Sequence, residues 1–279
     1  MKPVAFDYER PVTLADAATL LGQGNGFAKI LAGGQSLGAM LNLRLAQPDL
    51  LVDITSIPEL TTVTDAGDHL EIGACITHAD FEDGRVADHF GGLLRQVAGR
   101  IAYRAVRNRG TVAGSIAHAD PAADWLSALS LIDAKAVVWS RSGVRTIPVA
   151  EVVLSSFTTV LKPDDLIRSI RVPKLSAQAR WGFYKFSQKA GEFAHAMGGI
   201  LHDPARGVFR AVIGAIETSP IVVADAAALF GGGFGSDLPA RLDRKALLQR
   251  LDAKNVTDEY IRSLAAVALK RAAKQACAS

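Results

Sequence analysis

Behind Thr13, apolar residues fall at helical spacing: Leu14, Ala17, Ala18, Leu20 and Leu21, with Asp16 three positions after the threonine and Gly22 at the far end. A hydroxyl able to accept from a first-turn N–H, an acid that answers it and a terminating glycine predict a capped helix. The period then shortens. Residues 28–31 read as a buried strand that runs straight into Ala32-Gly33-Gly34-Gln35-Ser36-Leu37, after which Leu41, Leu43 and Leu45 lead to a second strand over 50–54. This opening unit reads as α/β.

Further along, residues 70–74 predict a strand and 92–101 a helix, ahead of a second small-residue turn, Thr111-Val112-Ala113-Gly114-Ser115. Pro121 suits the start of a helix over 121–133, and strands are expected over 136–139 and 166–173. The polar stretch 174–180 is the best linker in the chain and places a domain boundary there. Beyond it, 181–186, 193–201 and 208–216 read as three strands joined by turns, then 221–230, 245–251 and 257–276 as helices, an α+β module. Gly231-Gly232-Gly233-Phe234-Gly235 is expected to be a flexible loop.

Composition narrows the field. The chain has 279 residues, 49% of them apolar, enough for one large domain or two ordinary ones. Lys and Arg total 31 against 28 Asp and Glu, and a net charge of +3 is too small to argue for nucleic acid. The N-terminal residues lack the apolar core of a signal peptide and no apolar run reaches the roughly 18 residues of a membrane span. A cytoplasmic protein is the expectation. Cys75 and Cys277 lie far apart without CxxC spacing, which excludes a disulfide framework and cannot supply the four thiolates of an iron-sulfur cluster. The six histidines show no HExxH or other close ligand spacing, so no metal is expected in this chain.

Consecutive glycines after a strand let backbone N–H groups approach an anion, and Ser36 adds a hydroxyl donor, so the first turn suits phosphate. An ordinary strand-to-helix turn fits the same residues. The second turn supplies another donor-rich segment, with Asp120 and Asp124 after it for ribose or ribityl hydroxyls and His118 beside it. Neither turn has the GxGxxG spacing of a Rossmann unit, and no GxxxxGK[ST] occurs. Gly34-Gln35-Ser36-Leu37-Gly38 also matches GxSxG, the nucleophile elbow of serine hydrolases, although too short a stretch precedes Ser36 to lay down that fold's strands. The basic run Arg95, Arg100, Arg104, Arg107 and Arg109 offers to screen phosphate charge or dock an acidic face, or is simply a solvated edge.

Taken in order, Ala32-Gly33-Gly34-Gln35-Ser36-Leu37, Leu43-Arg44-Leu45-Ala46, Asp53-Ile54, Thr111-Val112-Ala113-Gly114-Ser115 and Ala119-Asp120-Pro121-Ala122-Ala123-Asp124 resemble the FAD-binding medium subunit of molybdenum hydroxylases, the carbon monoxide dehydrogenase and xanthine dehydrogenase family. The resemblance extends to residues 184–189 and 191–194. It implies an α+β chain: an FAD-binding domain over 1–175, of the vanillyl-alcohol-oxidase (PCMH-like) type, built of α/β subdomains 1–58 and 59–175. A C-terminal domain over 176–279 would carry the three-stranded antiparallel sheet and helices. FAD would lie between them, with Lys29, Ala32, Gly33, Gly34, Gln35, Ser36 and Leu37 on the diphosphate and adenosine side and Thr111, Gly114, Ser115 and His118 completing the cradle. Asp124 would bind a cofactor hydroxyl. Ile101 would lie near the flavin ring, Leu161 near the ring or adenine, and Lys185 and Phe193 would approach from the second domain.

The implied role is electron transfer. Molybdenum cofactor in a large subunit and two [2Fe-2S] clusters in a small subunit would precede this chain, in a cytoplasmic dimer of heterotrimers that could sit peripherally at the inner membrane face and passes electrons to an external acceptor. No side chain need act as a catalytic nucleophile or base. The alternatives are a stand-alone flavin-dependent oxidase and a serine hydrolase using Ser36. Ala113 replaces the first glycine of the family's usual pair, which leaves the shape of the second turn open; Ala39, Lys189 and Glu192 also depart from the pattern.

Overall fold

The computed structural model describes residues 2–23 and 27–278; Met1 and Ser279, the outer limits of the two expected domains, lie outside them. Among the described residues three larger sheets and one two-stranded hairpin are formed. The first is parallel, in the order β1 (Asp7–Glu9), β3 (Leu50–Asp53), β2 (Ala28–Leu31), with α1 (Leu14–Gln23) and α2 (Leu37–Asn42) in the connections. Thr13 caps α1 as expected, its hydroxyl accepting from the Asp16 N–H at 3.1 Å. Residues 28–31, expected as a buried strand, form an edge strand with Lys29 exposed, because only β3 covers β2 laterally.

The second sheet is antiparallel, in the order β4 (Val63–Asp65), β5 (His69–Gly73), β10 (Leu166–Pro173), β6 (Lys135–Ser140), β7 (Gly143–Pro148). Between β5 and β6 the chain runs through α3 (His78–Glu82), α4 (Leu93–Ala98), α5 (Arg104–Arg107), α6 (Val112–His118) and α7 (Asp124–Leu131); α8 (Val149–Val152) and the small hairpin β8 (Val153–Ser155) and β9 (Thr158–Thr159) follow β7. Two expected helices are shorter than their patterns. The one over 92–101 reduces to α4, since the chain turns off at Gly99. The one over 121–133 begins at Asp124, because the Asp120 carboxylate accepts from the Ala122 N–H at 2.9 Å and fixes Pro121 in a turn outside the helix.

The third sheet is antiparallel, β11 (Arg180–Phe186), β12 (Ala196–Asp203), β13 (Val208–Gly214) and β14 (Ile221–Val223). Four strands replace the expected three. Residues 221–223 pair with β13 before the chain enters α9 (Ala227–Phe230), so the helix expected over 221–230 is half strand. Residue 193 lies in the loop before β12, outside its expected strand. Successive β12 residues serve opposite faces: Met197 and Leu201 join the core shared with α7 and the second sheet, while Ile200 packs with α10 (Arg244–Asp252) and α11 (Glu259–Ala278). Ala265, Ala268, Ala272 and Ala276 are at most 1% exposed on α11, and such small side chains bring that long helix close to the sheet.

The segment 174–179 joins the second and third sheets and is tied down. Both the Ser176 N–H and its hydroxyl donate to the buried Asp203 carboxylate, at 2.9 and 2.5 Å. Among the described residues no helix is long and apolar enough to cross a membrane, and no group of three or more acids, cysteines or histidines could hold a metal ion.

Candidate functional site

The turn after β2, the N-terminus of α6, the segment between α4 and α5, the β9–β10 connection and the loop after β11 meet around one cavity of about 580 Å³. Cofactor and ligand pockets commonly measure about 300–1,000 Å³. All sixteen positions singled out from the sequence line it: Lys29, residues 32–37, Ile101, Thr111, Gly114, Ser115, His118, Asp124, Leu161, Lys185 and Phe193. They come from all three sheets or their connections.

The two small-residue turns are packed against each other. A Cβ on Gly33 would lie 2.1 Å from the Arg109 carbonyl oxygen and 2.8 Å from Gly110 Cα, so only glycine lets the first turn seat on the connection between α5 and α6 that enters the second. Gly34 has φ +70, in the region L side chains rarely adopt. The N–H groups of Gly34, Gln35, Ser36 and Leu37 have no protein acceptor among the described residues. A rim of unsatisfied backbone donors beside a cavity is a site for an oxyanion.

The second segment is a helix start. Thr111 is the N-cap of α6 and its hydroxyl accepts from the Gly114 N–H at 3.1 Å. Ala113 therefore sits in ordinary right-handed backbone, 4% exposed, and the missing glycine has no consequence for the shape of this segment. Ser36 likewise has φ −93 and ψ −51 at the entry to α2, without the strained turn that lifts a hydrolase nucleophile.

The remaining candidates divide into polar and apolar ends. Lys185 Nζ donates to the Asp124 carboxylate at 2.8 Å, with side chains 5% and 6% exposed. Burial pushes the Asp124 carboxyl up, and the Lys185 charge opposes that. These two positions, read separately as cofactor contacts, are thus partners of each other across the cavity wall. The His118 ring lies 5.1 Å from that of Phe157, an exposed aromatic that also lines the cavity. Phe193 is exposed at the rim.

Three of the five arginines of the basic run are engaged by neighbouring groups. Arg104 and Arg107 are both bonded to Glu82, Arg104 also to Asp83, and Arg95 donates to the Glu82 carbonyl. The guanidinium of Arg104 holds the Asp83 carboxyl well below the usual carboxylate range.

His78, not singled out from the sequence, lines the cavity while 5% exposed. Its Nδ1 accepts from Trp125 Nε1–H at 2.9 Å, which fixes the neutral tautomer, and burial with the nearby Arg107 charge pushes its pKa from 6.5 down to about 4. A histidine whose folded pKa lies below its unfolded value contributes stability above pH 6.5 that is lost as pH falls toward 4. The loss is on the order of 3 kcal/mol. Urea unfolding at pH 7 and pH 4.5 should show this decline, and His78→Gln should remove most of the difference between the two pH values. Equal slopes in both proteins would refute it.

Comparison with known proteins gives this geometry a family. Residues 4–175 match the family described as the FAD binding domain in molybdopterin dehydrogenase. The chain is 38% identical over 194 residues to the 6-hydroxypseudooxynicotine dehydrogenase complex subunit alpha of Paenarthrobacter nicotinovorans, covering 70% of this chain and 66% of that one. It is 30% identical over 283 residues to caffeine dehydrogenase subunit beta of Pseudomonas sp. (strain CBB1), covering 99% and 96%. Carbon monoxide dehydrogenase from Hydrogenophaga pseudoflava superposes with a TM-score of 0.88 at 31% identity over 100% of this chain and 99% of that one. The chain belongs to the FAD-binding medium-subunit family of the molybdenum hydroxylases.

Proposed function

We propose that the cavity holds FAD and that the chain is the electron-transfer subunit of a heterotrimeric molybdenum hydroxylase, beside a large molybdenum-cofactor subunit and a small subunit with two [2Fe-2S] clusters. The carrying observation is the convergence of sixteen sequence-selected positions from three sheets on one cavity with orphaned backbone donors at one end. The residues fit the group. Residues 32–37 offer backbone N–H donors and Thr111 and Ser115 hydroxyl donors to a diphosphate, Gly114 keeps the start of α6 free of a side chain there, and Lys29 and His118 stand beside them. Asp124 and Lys185 supply a hydroxyl acceptor and a cation. Ile101, Leu161 and Phe193 offer apolar surface for the ring and adenine.

When bound, FAD supplies the ability to take electrons singly and release them as a pair. The protein's share is placement: the turns fix the phosphate end, the apolar wall excludes water, and Lys185 brings positive charge to the ring end. In this reading the chain divides into domains 1–175 and 176–279 with the cofactor between them, and the assembly is a dimer of heterotrimers delivering electrons to an external acceptor.

The test is reconstitution and copurification. The purified chain should take up FAD, with flavin absorbance at about one equivalent per chain, and the native protein should copurify with molybdenum and iron-sulfur subunits. Failure to bind FAD would overturn the reading. Substrate turnover by the chain with FAD alone would replace it with a stand-alone oxidase.

A further inference from the structure

The segment between α4 and α5 is held in an unusual way. Ala102 has φ +42, a left-handed conformation uncommon outside glycine, and three successive carbonyls are engaged by cationic side chains. Lys185 Nζ donates to the Arg100 carbonyl at 3.4 Å, and Arg107 Nη1 donates to those of Ile101 and Ala102 at 3.0 and 2.9 Å. The rest of the Arg107 guanidinium faces Glu82, with Nε and Nη2 each 2.8 Å from a carboxylate oxygen. From the third sheet Gly191 closes on the same segment, where a Cβ would lie 2.9 Å from the Ala102 oxygen. Ile101 and Ala102 both line the cavity, and the Ala102 N–H has no acceptor among the described residues.

We infer that Arg107, oriented by Glu82, is a positioning residue for the flavin ring. By drawing the two carbonyls to itself it fixes the Ile101 side chain in the cavity and leaves the Ala102 N–H for a ligand acceptor. Only a planar guanidinium serves two carbonyls and a bidentate carboxylate together; a lysine ammonium offers a single point of charge. This rests on the FAD reading above.

The test uses the full chain reconstituted with FAD, as wild type, Arg107→Met, Arg107→Lys and Glu82→Gln. Arg107→Met should retain FAD with a shifted visible absorption band and a more negative midpoint potential, because a cation near the ring has gone. Arg107→Lys should recover only part of both shifts, and Glu82→Gln should give a smaller shift of the absorption band in the same direction, while loss of its negative charge moves the midpoint potential the opposite way. In the flavin-free chain, hydrogen exchange over 100–103 should be faster in Arg107→Met. FAD-loaded Arg107→Met with wild-type spectrum and potential would overturn the inference, as would loss of the fold in all three variants, which would make the cluster a stability element alone. Wild type that takes up no FAD would instead overturn the cofactor reading.

Discussion

Gly33→Val is expected to weaken FAD binding by roughly one to two orders of magnitude while most of the fold survives. The new side chain starts from a Cβ only 2.1 Å from the Arg109 carbonyl oxygen, and that oxygen belongs to backbone that cannot swing aside as a side-chain tip would. The turn over 32–37 must move away from the start of α6, and the donor groups of the two segments no longer address one diphosphate. Overpacking of this kind costs about 1–3 kcal/mol. At 1.4 kcal/mol per factor of ten, FAD affinity should fall roughly tenfold to a hundredfold. Gly38→Ala is the matched control, since a Cβ there meets nothing within 4 Å and the position lies in α2, where alanine is favoured over glycine. Equilibrium titration of flavin-free protein, with circular dichroism to follow the fold, reads both. Equal affinities for the two variants would show that the turns do not form one cradle.

That closure was only partly legible in the sequence. Local rules found the capped helix at Thr13 and the small-residue turn after β2, because each depends on residues close together in the chain. What joins that turn to the second segment is tertiary. The clasp of Gly33 on residues 109–110 spans two sheets. The glycine pattern signals that some backbone approaches closely there, without saying which.

Ala113 shows the opposite error, in which a family pattern suggested a permissive turn where a helical first turn accepts alanine without strain. The strand at 221–223 was lost inside a helical pattern because three apolar residues running into Ala226 to Leu229 carry no period of their own, and only pairing with β13 decides them. Arg107 was hidden for a related reason. A run of arginines looks like a solvated edge until Glu82 and Asp83 fold beneath it, twenty or more residues away in sequence.

The largest stability effect is expected at the pair that locks the third sheet to α7. Lys185 and Asp124 lie 61 residues apart in sequence and 2.8 Å apart in space, both nearly inaccessible to water. Lys185→Met leaves the carboxylate buried without its cation, which costs about 3–5 kcal/mol for pairs of this kind. The double variant Asp124→Leu with Lys185→Met removes both charges and should recover much of that loss, so the double-mutant cycle should show a coupling energy far larger than any exposed pair gives.

The pH dependence separates a buried charge from lost packing. Burial already pushes the Asp124 carboxyl above its ordinary value, and in Lys185→Met the chief opposing charge is absent. A carboxyl whose folded pKa is raised contributes stability that is complete below its unfolded pKa and is lost as pH rises through the folded value. The deficit of Lys185→Met relative to wild type should therefore narrow on acidification and widen toward neutral pH. The titration of His78 is common to both proteins and cancels in the difference. Urea unfolding of the flavin-free chains across pH 4 to 8 measures it. A deficit that stays constant across that range would mean that Lys185 acts through the packing of its aliphatic stem, and that Asp124 carries no uncompensated charge at the cavity wall.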